Sequence, residues 1–187
     1  MGAALNSGPF LWSTQMIISY LVKDITAEEI WPLEEVKNYL RISHKYDDNL
    51  IQSLIESATE AAENFTGLSI HQRRIEYKIQ NAKSDFTLRY LPILRVEEVY
   101  LVKKEQKEKI TNKFGYANTT TNRVYLNDDY VGQDIEIGYL AGYKKIPSTI
   151  SHGILMHVAS MYEHSENGTN LNSQIRDLYL PYRIVKI

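Results

Sequence analysis

Side chains able to do chemistry are spread thinly along this chain. It has five histidines, which would ligate a metal or carry protons only if they converged. His152 and His157 are five apart, on different faces of a helix, while His157 and His164 are seven apart, two turns from each other. Neither spacing seats two imidazoles on one ion without further ligands. Asp47, Asp48 and Asn49 have the composition of a calcium loop. They lack the glycine and the distant bidentate glutamate at the required offsets, so helix capping is expected of them. No phosphate-binding glycine loop and no Gly-x-Ser-x-Gly elbow occurs. Cysteine is absent, which removes thiol nucleophiles, zinc–thiolate sites and disulfides together. These residues predict no catalytic group, no metal and no cofactor.

Two charge patterns remain. Glu56, Glu60 and Glu63 recur at helical spacing and form one acidic stripe, where like charges repel by a few tenths of a kcal/mol. A solvated face is the plain reading; the sharper one is a stripe that meets a basic partner or lines a channel. Lys103, Lys104, Lys107 and Lys109, interleaved with Glu105 and Glu108, read as a solvated hairpin tip. Over the whole chain 21 basic and 23 acidic residues leave a net charge of −2. That balance argues against tight sequence-independent nucleic-acid binding and against a polybasic membrane anchor. The apolar stretch Met16 to Val22 is far shorter than the ~20 residues a membrane-spanning helix needs. Asn-x-Thr triplets at Asn64, Asn118 and Asn167 are chance matches unless the chain is secreted.

Four helical segments, over about 32–42, 47–66, 148–164 and 173–179, must position whatever function these residues serve. In the first, Pro32 suits the opening turn and Leu33, Val36, Tyr39 and Leu40 share a face. The second carries a wide stripe of Leu50, Ile51, Leu54, Ile55, Ala58, Ala61, Ala62 and Phe65, and stops at Gly67. Such a stripe requires a packing partner, and Ile150, Ile154, Leu155, Val158, Met161 and Tyr162 in the third segment supply one. Between them, over about 70–140, the period changes to two: Ile75, Tyr77 and Ile79, then Phe86, Leu88 and Tyr90, with further strands at Val96–Val102, Arg123–Leu126 and Asp134–Tyr139.

The order therefore predicts an α+β fold: two N-terminal helices, about five short antiparallel strands, a long helix, a short helix and an extended tail. Residues 1–25 read as a poorly ordered leader without periodicity, and 26–187 as a single domain. Met16 is a candidate natural start, with residues 1–15 a cloning remnant. The fourteen tyrosines suit half-buried strands and protein interfaces.

The segments LEEVKNYLRI (Leu33 to Ile42) and YDDNLIQSLIESATEAAENFTG (Tyr46 to Gly67) resemble the N-terminal helices of the tailed-bacteriophage head–tail connector, or head-completion, family. GYLAGYKKIPSTISHGILMHVASMYEHSE (Gly138 to Glu166) is similar to the second signature of that family, including Tyr162, Glu163 and Glu166. LYLPYRIVKI (Leu178 to Ile187) is similar to its closing segment. The resemblance implies a non-enzymatic ring subunit in roughly twelve copies, seated beneath the portal at the virion neck and made in the bacterial host cytoplasm. It implies contacts with copies of itself, the portal and a stopper or tail-completion protein, and DNA passing without sequence-specific contact. It marks Pro181, Tyr182, Arg183, Ile184, Val185 and Ile187 as a portal-docking tail, although a terminus tucked onto its own subunit fits the same residues. The rival readings are another particle component (a stopper or tail terminator), a small enzyme with an unrecognised site, and a ligand-binding module.

Overall fold

Helix starts and stops follow the local chemistry closely. In the computed structural model, which describes residues 16–25, 31–104, 106–119, 121–163 and 171–184, helix α1 spans Leu33–Leu40 and opens behind Pro32 with Glu34 and Glu35 in its first turn. It ends where Arg41 turns left-handed at φ 60°. Helix α2 spans Asp48–Thr66 and stops at Gly67, whose φ of 76° and N–H to the Glu63 carbonyl close the last turn. Helix α3 covers Ser148–Glu163 and α4 covers Ser173–Tyr179. The Asn172 side chain caps α4 by accepting from the Ile175 N–H at 2.9 Å.

The expected partnership of the two long helices is present: α2 packs on α3, with α1 and α4 against them. Ile51, Ile55, Ala58 and Ala62 of α2 meet Ile150, Ile154, Val158 and Met161 of α3, and Val36, Ile70, Ile175 and Tyr179 complete this core.

The described strands are β1 (Ile17–Ile25), β2 (Arg73–Gln80), β3 (Asp85–Thr87), β4 (Ile93–Lys103), β5 (Gln106–Lys109), β6 (Gly115–Asn118), β7 (Arg123–Leu126) and β8 (Asp134–Ala141). They form a five-stranded sheet in the order β1-β2-β8-β4-β5 and a three-stranded sheet in the order β3-β7-β6, antiparallel throughout. A second core unites them: Ile75, Tyr77, Ile79, Ile135, Ile137 and Tyr139 from the larger sheet with Phe86, Leu88, Val124 and Leu126. Because successive side chains alternate across a strand, the other face of the larger sheet carries Arg74, Glu76, Lys78 and Glu136.

The α+β class and the helix–strand–helix order are as expected, but the strands are more numerous and divide between two sheets. The leader expectation for residues 1–25 needs correction at Ile17–Ile25, which form β1 on the edge of the larger sheet. Its residues show no period of two because an edge strand here keeps apolar groups on both faces: Ile17 and Leu21 on one, Ile18, Tyr20 and Val22 on the other. Residues 1–15 lie outside the described residues. The hairpin tip expected over 103–109 contains strand β5, and turn-rich residues near Gly115 contain β6.

Candidate assembly surfaces

The C-terminal segment is built onto the helical layer. Tyr179 of α4 is fully buried against Gly153 of α3, where an added Cβ would sit 2.5 Å from the tyrosine Cε1. Only a glycine lets α4 approach α3 this closely. Burial pushes the Tyr179 phenol well above its ordinary range. Beyond α4 a single 3-10 turn, Leu180–Tyr182, leads to Arg183 and Ile184. The Ile184 N–H donates to the Thr66 carbonyl at 2.8 Å, and its side chain lies against Gly67, so the tail caps the end of α2. The guanidiniums of Arg183 and Arg176 lie over the Phe65 ring at 5.2 and 5.7 Å. Pro181 and Arg183 are exposed, whereas Tyr182 and Ile184 are half-buried. Val185 and Ile187 lie outside the described residues. The described part of the candidate tail is thus tucked onto its own subunit, against a helix end.

The acidic stripe divides. Glu56 and Glu60 are exposed. Glu63 is not a free member: it is engaged on both oxygens, pairing with Arg73 at 2.5 Å and accepting from the N–H groups of Ile70 and His71 at 2.7 and 3.3 Å. It fastens the end of α2 to the start of β2. Burial lowers the affinity of His71 for a proton, the nearby Glu63 charge opposing that shift.

Asp47 and Asp48 also do something other than the expected side-chain capping. Asp47 makes no side-chain bond to the helix amides. Its carboxylate accepts the Tyr162 hydroxyl at 2.7 Å, which joins the start of α2 to the end of α3. Asp48 receives the buried Lys37 ammonium at 2.7 Å, and this hydrogen bond raises the Lys37 pKa. Three helices are therefore tied by polar contacts that helix periodicity does not reveal.

The outer face of the larger sheet is a lattice of ion pairs. Lys23 pairs with Glu76 at 3.2 Å, Arg74 with Glu97 at 3.2 Å and Glu98 at 3.8 Å, and Lys109 with Glu98 at 3.2 Å. Glu136, buried at 5% exposure, takes Lys107 at 2.6 Å and Lys78 at 3.6 Å. The bond to Glu136 raises the Lys107 pKa, and the bond from Lys109 lowers that of Glu98. Gly138 floors a depression of about 250 Å³ rimmed by these residues. Every carboxylate on its rim is held by a cation, so the arrangement forms a braced polar face. Among the described residues no group of three or more His, Asp or Glu is placed to hold a metal ion, and no helix is long and apolar enough to cross a membrane. His157 is buried within the helical core, and His152 packs edge-on to Tyr39.

Known proteins place this architecture. The fold is similar to a chain in the neck of an empty gene transfer agent particle computed with C6 symmetry: TM-score 0.72, 17% identity, 90% of this chain and 97% of that one covered. A chain from the virion of a native gene transfer agent particle gives a TM-score of 0.71 at 17% identity, covering 90% and 96%. A chain from the neck of the native particle computed with C12 symmetry gives 0.66 at 18% identity, covering 89% and 97%. Curated proteins yielded no match. Residues 29–185 match the family described as head completion protein, and over that span, which takes in the four described α-helices and both sheets' central strands, the chain belongs to the head completion protein family.

Proposed function

We propose that this chain is a structural, non-enzymatic subunit of the head–tail junction of a phage-like particle. It assembles in the virion neck into a ring of roughly twelve copies, docks beneath the portal, extends the DNA channel and offers the attachment surface for a stopper or tail. The observation that carries this reading is the family match over 29–185, joined to a fold shared with neck chains along 90% of its length. Two features of the molecule agree with it. The ion-paired sheet face and the two cores make a rigid body with no convergent free titratable groups among the described residues, which suits work by shape. Among the described residues, the C-terminal segment leaves Leu180, Pro181 and Arg183 exposed, and meets α2 through the Ile184 N–H on the Thr66 carbonyl and the Arg183 guanidinium over the Phe65 ring. A tail that presents Pro181 and Arg183 to solvent from a fixed position on α2 is a suitable portal-docking element, and exposed Glu56 and Glu60 are candidates for a basic partner surface or the channel wall.

The test is mass by light scattering behind size exclusion, across a concentration series, with and without the cognate portal, and negative-stain imaging of the largest species. A ring with a central hole, or stoichiometric joining of the portal, is the expected result; a chain that stays monomeric and ignores the portal at every concentration refutes it. Removing residues 183–187 is expected to leave the fold intact and weaken portal joining about tenfold or more. Unchanged joining would exclude the tail from docking.

A further inference from the structure

The five-stranded sheet ends in two edges of different character. At one edge lies β1, nine residues long, whose side away from β2 meets no strand among the described residues. Ile17 and Leu21 are 59% and 55% exposed, and Tyr20 is 41% exposed. A long apolar edge is a template for further pairing unless charge, proline or a bulge blunts it; the bulge of β1, between Val22 and Asp24, and the Lys23 charge within it lie toward the strand's C-terminal end and leave Ile17–Val22 in regular register.

At the other edge lies β5, exposed along its whole length, again with no strand beyond it among the described residues. Its lysines resemble edge guards, but they are committed elsewhere. Lys107 and Lys109 reach back across their own sheet to Glu136 and Glu98, each ammonium 5.9 Å from the Tyr100 ring centre. Glu108 is left on the opposite face. It stands across from Leu101 in the β4–β5 register, so it shares the face that carries the core, and among the described residues it has no ion pair. Arg89 occupies that same face at the far edge. It lies 5.2 Å over the ring of Tyr20, whose cross-strand partner is the buried Tyr77, and it donates to the Tyr20 hydroxyl at 3.3 Å. No carboxylate pairs with Arg89 among the described residues.

We infer that the sheet continues from copy to copy: β1 of one subunit pairs with β5 of the next, bringing Arg89 against the neighbour's Glu108. Two different edges at opposite ends of one sheet make a head-to-tail contact, the kind that closes into a ring when its rotation closes. The opposite charges lie on the same face, and neither has a partner of opposite charge among the described residues, which is the complementarity a second copy would satisfy. This inference rests on the ring proposed above.

Charge exchange tests it on the full chain, with assembly read by light scattering in the presence and absence of portal. Arg89→Glu and Glu108→Arg are each expected to raise the concentration for half-assembly about tenfold, and the double variant to recover to within about threefold of the parent. Circular-dichroism melts check that each variant folds. Leu21→Lys, which puts a charge into the exposed apolar stretch that the joint would cover, is expected to weaken assembly. Single exchanges or Leu21→Lys assembling like the parent, or a double variant no better than the singles, would overturn the edge joint while the ring reading stood. A parent chain that never assembles overturns both.

Discussion

Replacing Gly153 by alanine sets two known effects against each other. In a helix interior the change normally stabilises by about 0.5–1 kcal/mol, because glycine loses the most backbone freedom on folding. Here the new methyl would stand 2.5, 2.9 and 3.1 Å from Cε1, Cζ and the hydroxyl of Tyr179. Carbon atoms settle at ~3.5–4.0 Å, so the ring must retreat by about 1 Å. It has little room to do so, being fully buried with Phe65 packed 6.2 Å away, centre to centre. Overpacking of this kind costs about 1–3 kcal/mol, and the balance is a net loss of up to about 2.5 kcal/mol. At about 2–4 °C per kcal/mol for a chain of this size, the melting temperature should fall by up to roughly 10 °C. The displacement has a second readout, since α4 carries the tail: Arg176 and Arg183 lean on Phe65, and Ile184 caps α2. Trypsin cleavage after Arg183 should accelerate in the variant. A Gly153→Ala chain that melts higher than the parent, as an unobstructed helix would, refutes the close-contact account of how the tail is held.

Tyr179→Phe should be neutral or slightly stabilising in urea unfolding, because the buried hydroxyl meets no hydrogen-bond partner among the described residues and leaving it unpaired costs about 1–3 kcal/mol. Glu63→Ala should cost about 2–3 kcal/mol through the loss of charged bonds to Arg73, Ile70 and His71, while Glu56→Ala and Glu60→Ala stay within about 0.5 kcal/mol; equal effects at all three would contradict the division of the stripe. The Glu98 carboxyl is depressed below its ordinary 4.5, first by the bond from Lys109. Its stabilisation is present above that value and disappears as pH falls through the folded pKa, so Glu98→Gln should flatten the acid limb of melting temperature against pH. Lys107 is raised above its ordinary 10.5 by Glu136. Its contribution is complete below 10.5 and lost as pH rises through the folded pKa, so Lys107→Met should flatten the alkaline limb.

Local pattern was enough for the helices, because a 3.6-residue period and a stop at Gly67 are properties of a few consecutive residues. The same holds for the strands that bury one face, such as β8 with Ile135, Ile137 and Tyr139 inward. It was enough, too, to say that the α2 stripe needed a partner, and the order of segments carried the family resemblance. Strand β1 escaped because it is half-exposed on both faces and so leaves no alternation to read. Of the candidate site residues, the sequence placed Glu56, Glu60 and Glu63 on one stripe but could not separate the two solvated members from the one bound to Arg73.

What the sequence determined by itself is therefore which faces must be buried and where each helix begins and ends. What only the tertiary structure decided is what does the burying: Tyr179 against Gly153, Tyr162 on Asp47, the tail on the end of α2, and two sheets around a single core. The reason is physical. Hydrophobic periodicity is written within one element, whereas a contact between residues 115 positions apart, as in the Asp47–Tyr162 pair, is set by the packing of whole elements and has no local signature.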